Sequence, residues 1–440
     1  MNKKILLWAL AFSSFGLGLD FGNMGNTSIS MGGAGVALQS SAFGAYYNPA
    51  LISIDNKVRF GFTLGGRYQQ KNIDRLIKFD FKGMLNNANS IQIGSQNSQT
   101  LQINEDNKTK LTKLYGDFST LMDIFEQNHL SFTSQNGISL QISPAAMRGT
   151  FGSLAISYFA SLYSNISAGT SFSGKDLIIK TNGNAYYKVD SSGNVSASDE
   201  NSYKNSVLGA IEGDKIGHIA THNLLLSEVP ITYARTFFFS NSNLDIGINL
   251  KYMNAILFER EITIKKDTNI NQIVSSFKTQ SGLKSSHGFG VDLGITYGID
   301  LPKFRYLTFG FVAKNINTPT FKFSNTKVSI KPQYRVGFAY NQPYVTIAFD
   351  ADILPNEMFA YSDKKQYSQM IGGGLKFDLK AVDMRVGMMK DIRQDNGLII
   401  TSGLNILGIF DIAFQVGTKA ETGSYMPRYM AVQVGGGFSF

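Results

Sequence analysis

The chain has 440 residues, with 44 Gly, 33 Phe, 20 Tyr, no Cys and only 17% charged residues. Abundant glycine and aromatics with sparse charge favour an all-β protein, and the lack of Cys excludes a disulfide framework, a thiolate metal site and a thiol nucleophile. The net charge of +9 is scattered, without the basic block of a nucleic-acid binder, so neither a nucleic-acid partner nor a cofactor is expected.

In chain order, Lys3 and Lys4 precede the apolar run Ile5–Phe12, then Ser13, Ser14, Gly16 and Gly18. A charged start, a short apolar run and small residues predict a secretory signal peptide over 1–18, cut after Gly18. The run is short for a membrane span of about 20 residues. Residues 19–56 then read as a compact segment centred on MGGAGVALQSSAFGAYYNPAL, Met31–Leu51. Gly32, Gly33 and Gly35 allow close backbone approach. Behind Tyr46 and Tyr47, Asn48-Pro49 favours a turn. Leu38 stands where a dinucleotide-binding loop carries its third glycine, and no apolar strand precedes it, so this is no cofactor loop.

From residue 57 the signal is alternation. Leu244, Ile246, Ile248, Leu250 and Tyr252 alternate with Asn243, Asp245, Gly247, Asn249 and Lys251, and the pattern recurs in 288–299, 305–315, 333–340, 370–378, 381–389, 398–406 and 429–440. Strands are expected at 57–70, 137–147, 150–161, 228–240, 243–257, 285–299, 304–315, 332–341, 343–352, 369–378, 381–390, 398–406, 409–418 and 428–440. Many match the 9–11 residues of a membrane-crossing strand rather than the roughly 5–6 of a soluble sandwich. The charges fall on one face, among them Asp245, Lys251, Asp292, Arg335, Asp350, Asp352, Asp383 and Arg385. An apolar outside and a polar inside predict a transmembrane antiparallel β-barrel of about fourteen strands over 57–440. Closure follows because lipid cannot satisfy an open sheet edge. Tight turns alternate with long connections, as in outer-membrane barrels. The polar residues are then lumen-facing, and residues 19–56 are an N-terminal hatch inside the barrel.

The longest connections, 71–136 and 162–227, are expected outside the membrane. Helices are predicted over 108–127 and 206–226. Leu114, Phe118, Leu121, Phe125, Leu208 and Ile211 fall on their apolar faces, which either pack on partner loops or form an apolar groove for a greasy ligand. His218 and His222 share the spacing of a metal-binding pair but lack the intervening Glu of a metalloprotease. His287 stands where a strand meets a loop, with no serine or third group placed beside it. Neither a metal nor a catalytic site is expected.

Two resemblances carry this further. Gln433, Gly435, Phe438 and Phe440 resemble the C-terminal signal of bacterial outer-membrane barrels, which implies delivery by the barrel assembly machinery. The stretch Ser30–Gly35 with Tyr46-Tyr47-Asn48-Pro49-Ala50-Leu51 resembles the N-terminal region of the FadL superfamily of outer-membrane transporters, most closely its TraF-like branch of conjugal transfer proteins. The resemblance implies a fourteen-stranded barrel closed by a hatch. It also implies passive uptake of small hydrophobic molecules, fatty-acid or aromatic in type, passed sideways into the membrane. The branch name implies the alternative of a structural component among conjugation or secretion proteins. Either way the chain is expected in the bacterial outer membrane, in contact with its lipid.

Overall fold

The computed structural model describes residues 19–39, 41–54, 57–91, 105–143, 151–181, 185–268, 283–324, 327–359, 366–379, 381–420 and 426–439. The expected leader and Phe440 lie outside the described residues. Fourteen antiparallel strands close into one barrel in chain order. They are β1 (Val58–Lys71), β2 (His129–Ile142), β3 (Ser153–Thr170), β4 (Gly217–Phe238), β5 (Ser242–Ile264), β6 (Lys284–Leu301) and β7 (Arg305–Lys314). Next come β8 (Gln333–Asn341), β9 (Val345–Asp352), β10 (Met370–Asp378), β11 (Val382–Asp391), β12 (Leu398–Ile406), β13 (Phe410–Gly417) and β14 (Tyr429–Ser439). The last strand pairs with the first, Val434 opposite Leu64, so no edge is left for lipid to solvate.

The alternation becomes the wall. Ile231, Leu250, Leu293, Phe309, Val386 and Ile400 stand exposed on the outside, while Thr232, Lys251, Asp292, Thr308, Arg385 and Thr401 beside them are buried in the lumen. Among the described residues no helix is long and apolar enough to cross a membrane. The spanning surface is this apolar belt of strands. Short turns gather at one end of the barrel and long connections at the other.

From β5 onward the observed strands lie within a few residues of the alternation, apart from the upward extension of β5 to Ile264. The departures lie in β2, β3 and β4. β2 covers Ser131–Asn136, which the reading left in a loop, and β3 continues to Thr170. The helix expected over 206–226 is only Val207–Glu212, and from Gly217 the chain is strand β4. Around Leu224-Leu225-Leu226 both faces of this strand are apolar, so the period of two is erased and the run imitates a buried helix. His218 and His222 therefore sit on a strand, with His222 Nδ1 3.0 Å from Glu259 Oε1. β4 and β5 have 22 and 23 residues, about 75 Å of chain against a span needing 9–11 residues. Their upper parts stand clear of the apolar belt.

Those extensions support a cap built from the two longest connections. Its helices are α3 (Ile73–Ile77), α4 (Phe81–Asn89), α5 (Glu105–Glu126), α6 (Glu200–Lys204) and α7 (Val207–Glu212), following α1 (Asn26–Ser30) and α2 (Gly44–Tyr47) of the N-terminal segment. Leu114, Phe118 and Leu121 of α5 meet Leu208 and Ile211 of α7 in one core with Leu177, Ile219 and Ile264, and Phe125 packs against it. The apolar faces of both helices are buried in this shared core, the long helix chiefly against α3 and α4 and the short one against α4 and α6. They form the inside of a small folded unit and do not line an open groove.

Residues 19–54 run inside the barrel, almost wholly buried. Leu121→Ala is expected to cost the cap about 2–5 kcal/mol, the range for a buried leucine, without touching the strand ladder. Limited proteolysis should then cut within 72–128 while the barrel keeps its folded mobility in unheated gel electrophoresis. Resistance equal to the parent's, or loss of the folded barrel, would contradict an independent cap core.

Candidate functional site

An irregular segment inside a barrel carries backbone groups that no ladder satisfies, so the wall must supply partners. It does so with one side chain after another. Gln135 Oε1 accepts from Asn23 N at 2.9 Å, and Asn249 Nδ2 donates to the carbonyl of Ala45 at 3.0 Å. Thr401 Oγ1 accepts from Gly32 N at 3.0 Å, and Gln415 Nε2 donates to the carbonyl of Ile29 at 2.8 Å. The carboxylate of Asp350 accepts from Gly35 N and Val36 N at 2.8 and 2.9 Å. Hydrogen bonds to a charged acceptor are the strong kind, about 1.5–3 kcal/mol each.

Asn48 does more than turn the chain. Its Oδ1 accepts from Ala50 N at 3.0 Å and caps the short 3₁₀ turn Pro49–Ser53. Its Nδ2 faces the carbonyls of Val36, Ile295 and Phe311 at 3.0, 3.1 and 3.3 Å, tying two parts of the segment to β6 and β7. Pro49 at the first position of the turn needs no N–H there. Tyr47 Oη accepts from Met24 N at 2.8 Å. Tyr46 meets Tyr47 and Phe159 edge-on at 5.3 and 5.2 Å, with Lys314 Nζ 3.7 Å from its ring centre. Gly32 has φ +66°, and a Cβ on it would strike the carbonyl oxygens of Met388 and Gly373. Gly372, Gly373 and Gly374 of β10 form the bare floor on which Met31 and Gly32 lie.

Arg67 of β1 pairs with Asp20 of the segment at 2.5 Å and Arg335 lies 3.8 Å over the ring of Phe21, while other charges pair within the wall. Lys251 Nζ lies 2.9 Å from Asp292 and 3.3 Å from Glu228, and donates to Asn315 Oδ1 at 2.6 Å. Arg335 Nε holds Asp352 at 2.6 Å. Arg385 holds Asp411 at 2.7 and 3.0 Å and lies 3.6 Å from Asp383. Asp245 accepts from Ser53 at 3.0 Å, Thr236 at 2.5 Å, Asn243 at 2.6 Å and Thr296 at 3.0 Å. The eight polar residues read as lumen-facing thus divide into those that grip the segment (Asp350, Asp245) and those that brace the wall around it. His287 stands outside, stacked on Tyr252, whose Oη is 2.8 Å from His287 Nδ1.

Above the segment the lumen changes character. Leu224 and Leu226 of β4 and Met253, Ala255 and Leu257 of β5 face inward, and with Leu19 and Tyr163 they form an apolar lining. The sequence reading treated the lumen as polar throughout and missed these residues. Their signal was the continuous apolar runs 224–226 and 255–258, which leave no polar face. Beside this lining the β3–β4 ladder lapses: Ile156 pairs with Ile231 and Phe159 with Glu228, with Ser157-Tyr158 and Val229-Pro230 skipped between them. Pro230 has no N–H to give. A similar lapse between β1 and β2 is patched, since Gly65 N donates to Asn136 Oδ1 at 3.1 Å and Ser134 Oγ donates to the carbonyl of Gly65 at 3.0 Å.

A cavity of about 730 Å³, floored by His129, Ala168, His218 and Ala220, opens beneath the cap, and one of about 460 Å³ opens at the short-turn end beside Leu38, Phe43 and Asp383. Between them, a void of about 20 Å³ bordered by Phe21, Gly33 and Arg335 has room for roughly one water.

At the chain's end, Gln433 faces inward, its carbonyl accepting from Asn26 Nδ2 at 3.0 Å, and a Cβ on Gly435 would press on Asn26 Oδ1 at 2.8 Å. Phe438 points outward.

The chain's overall course resembles that of the toluene transporter TbuX of Ralstonia pickettii (13% identity, TM-score 0.42, covering 96% of this chain and 98% of that one). It also resembles the toluene transporter TodX of Pseudomonas putida (10%, 0.41, 96% and 98%) and a FadL homologue of Pseudomonas aeruginosa (8%, 0.38, 95% and 97%). No curated protein sequence matches it. The family model described as "F plasmid transfer operon, TraF, protein" matches residues 45–352. That span is more than half of the chain and runs from the Tyr46–Leu51 motif to the end of β9, so the protein belongs to this TraF family.

Proposed function

We propose that the protein is an outer-membrane channel for passive uptake of small hydrophobic molecules, with residues 19–54 as a hatch that holds the lumen shut. The observation that carries this reading is the apolar lining of Leu224, Leu226, Met253 and Leu257 inside the wall, next to the ladder lapse at Pro230. In the structure Phe321, Phe323 and Val328 of the β7–β8 connection cover this surface. For an apolar solute it is a landing place worth about 25 cal/mol for each Å² withdrawn from water. The solute would enter from the outside through the cavity beneath the cap, settle on the lining, and leave sideways between β3 and β4 into the membrane. No energy source is needed, because each step runs down a gradient of partition. Gln433, Gly435, Phe438 and Phe440 would direct assembly, and the apolar belt would contact outer-membrane lipid.

Gly32, Gly33, Gly35, Tyr46, Tyr47, Asn48 and Pro49 belong to the hatch, and Asp350 is its strongest single hold. Asp350→Ala leaves two backbone N–H groups of the hatch without their acceptor. It is expected to raise entry of N-phenylnaphthylamine into intact cells several-fold, with deletion of residues 22–50 raising it further. Unchanged entry in both variants, each shown to be a folded barrel at parental abundance, would sink the hatch role.

The family match itself favours a second reading, a structural component of a conjugation or secretion apparatus. Purification in mild detergent separates the two. The channel reading expects the barrel alone, while a stoichiometric protein partner together with no apolar-solute entry in any variant would decide for the apparatus.

A further inference from the structure

The apolar seat in the upper lumen is filled by the chain itself. Between β7 and β8, the short pairs Thr320–Lys322 and Lys327–Ser329 form a hairpin whose side chains enter the barrel. Phe321 and Val328 are 0% exposed, and with Phe323 they pack against Leu224, Leu226, Met253 and Leu257. The ring of Phe321 lies over Gly288 of β6, where a Cβ would come within 3.0 Å of it. The wall there is shaved to admit a ring.

The hairpin's polar attachment is slight by comparison. Lys322 N donates to Ser286 Oγ at 3.0 Å. Within the hairpin, Thr320 Oγ1 meets Ser329 Oγ at 2.9 Å and Ile330 N donates to the carbonyl of Pro319 at 2.9 Å, while the stem below is fixed to β6: Ile316 N donates to the carbonyl of Val291 at 3.0 Å, and Asn317 bonds Val291 N and the carbonyl of Phe289 at 2.9 and 2.8 Å. Its stem turns through Asn315 and Thr318, with φ of 55° and 50°. Both are left-handed positions, and Thr is a β-branched residue that tolerates that region poorly. The stem is anchored on β6, and beyond it the part that enters the lumen is held by Lys322 N on Ser286 and by the burial of three apolar side chains. Hydrophobic burial is non-directional, so another apolar body of similar size can take their place.

We infer that this hairpin is a self-ligand. Phe321, Phe323 and Val328 occupy the seat of a compact, uncharged apolar molecule of up to two rings' bulk, and such a molecule binds by displacing them. The inference rests on the uptake reading above and adds to it the place of binding, the size of the ligand and the element that yields. The stem is also tied to the wall's weak point. Asn315 bonds Lys251, and Lys251 pairs with Glu228, two residues from Pro230.

The absence of native Cys allows a clean lock. Ser286→Cys/Lys322→Cys joins the hairpin to β6 when oxidised. Phe321→Ala/Phe323→Ala empties the seat. Entry of N-phenylnaphthylamine into intact cells is measured for the lock oxidised and reduced. Toluene binding is measured calorimetrically on parent and double-Ala protein in nanodiscs, after subtraction of protein-free discs. The self-ligand predicts at least a tenfold loss of entry on oxidation, recovered on reduction, and toluene bound at least tenfold more tightly by the double-Ala protein. Equal entry in both redox states, with the disulfide verified by mass spectrometry, overturns it and leaves the uptake reading standing. Toluene binding no tighter in a folded double-Ala barrel overturns it likewise. If reduced and parent proteins admit no probe while the double-Ala protein gains toluene affinity, the seat is upheld and the uptake reading falls.

Discussion

A backbone crossing lipid must satisfy its own hydrogen bonds, and a strand can do so only in a sheet without edges. Here that requirement brings β14 back to β1, and the closed ring of fourteen strands fixes the size of what it encloses. About eight strands leave a space that wall side chains fill, while sixteen or more leave an aqueous channel. Fourteen falls between, so the interior must be occupied by something else. The occupant is residues 19–54, and its irregular backbone dictates the chemistry of the wall around it. Gln135, Asn249, Asp350, Thr401 and Gln415 face inward because carbonyls and N–H groups of the segment need partners there. The glycines of β10 are there because a backbone lies on them.

The same reasoning marks the upper lumen as different. Above the segment the wall between Leu224 and Leu257 meets the apolar side chains of the inserted hairpin and Leu19, and the inward residues are apolar. Strands β4 and β5 continue past the belt, with the lumenal lining on one face and the cap core on the other: Ile219 and Ile264 enter the cap while Leu224 and Leu257 face inside. Two apolar faces on one strand is the pattern of a fully buried strand. It is the one place where the barrel ceases to look amphipathic.

That is also where sequence reading reached its limit. Alternation depends on one face meeting lipid and the other meeting polar groups, and from β5 to β14 this contrast holds, so Asp245, Asp292, Arg335 and Arg385 could be assigned to the inside from period alone. Between Gly217 and Leu226 the contrast disappears, and a strand passed for a helix. The N-terminal segment stood out because its composition is extreme, glycine-rich with an Asn-Pro step. The bonds of Asn48 to carbonyls on β6 and β7 were not, since partners about 250 residues distant leave no local trace. Leu114, Phe118 and Leu121 announced a helical face without saying what would cover it. Their burial in a core shared by α3, α4 and α7 is a tertiary fact, settled by two connections meeting above the rim.

The two lapses in the wall show how such a barrel distributes its strength. Between β1 and β2 the gap at Leu64-Gly65 is bridged by Asn136 and Ser134, so bonds lost from the ladder are restored by side chains. Between β3 and β4 the gap contains Pro230, whose missing N–H no side chain can replace. On the lumenal side Glu228, next to this gap, is held by Lys251, itself shared with Asp292 and Asn315. A buried ion pair is a poor source of stability, because desolvation offsets most of its attraction. It is an effective fixer of geometry, since neither charge can be left alone in that environment. The gap in the β3–β4 ladder, the stem of the inserted hairpin and the wall at Asp292 therefore share one cation. Moving Asn315 with the hairpin would take from Lys251 a neutral partner and from Asp292 a backbone donor, while the Lys251–Glu228 pair would stay to hold β5 against β4 beside the gap.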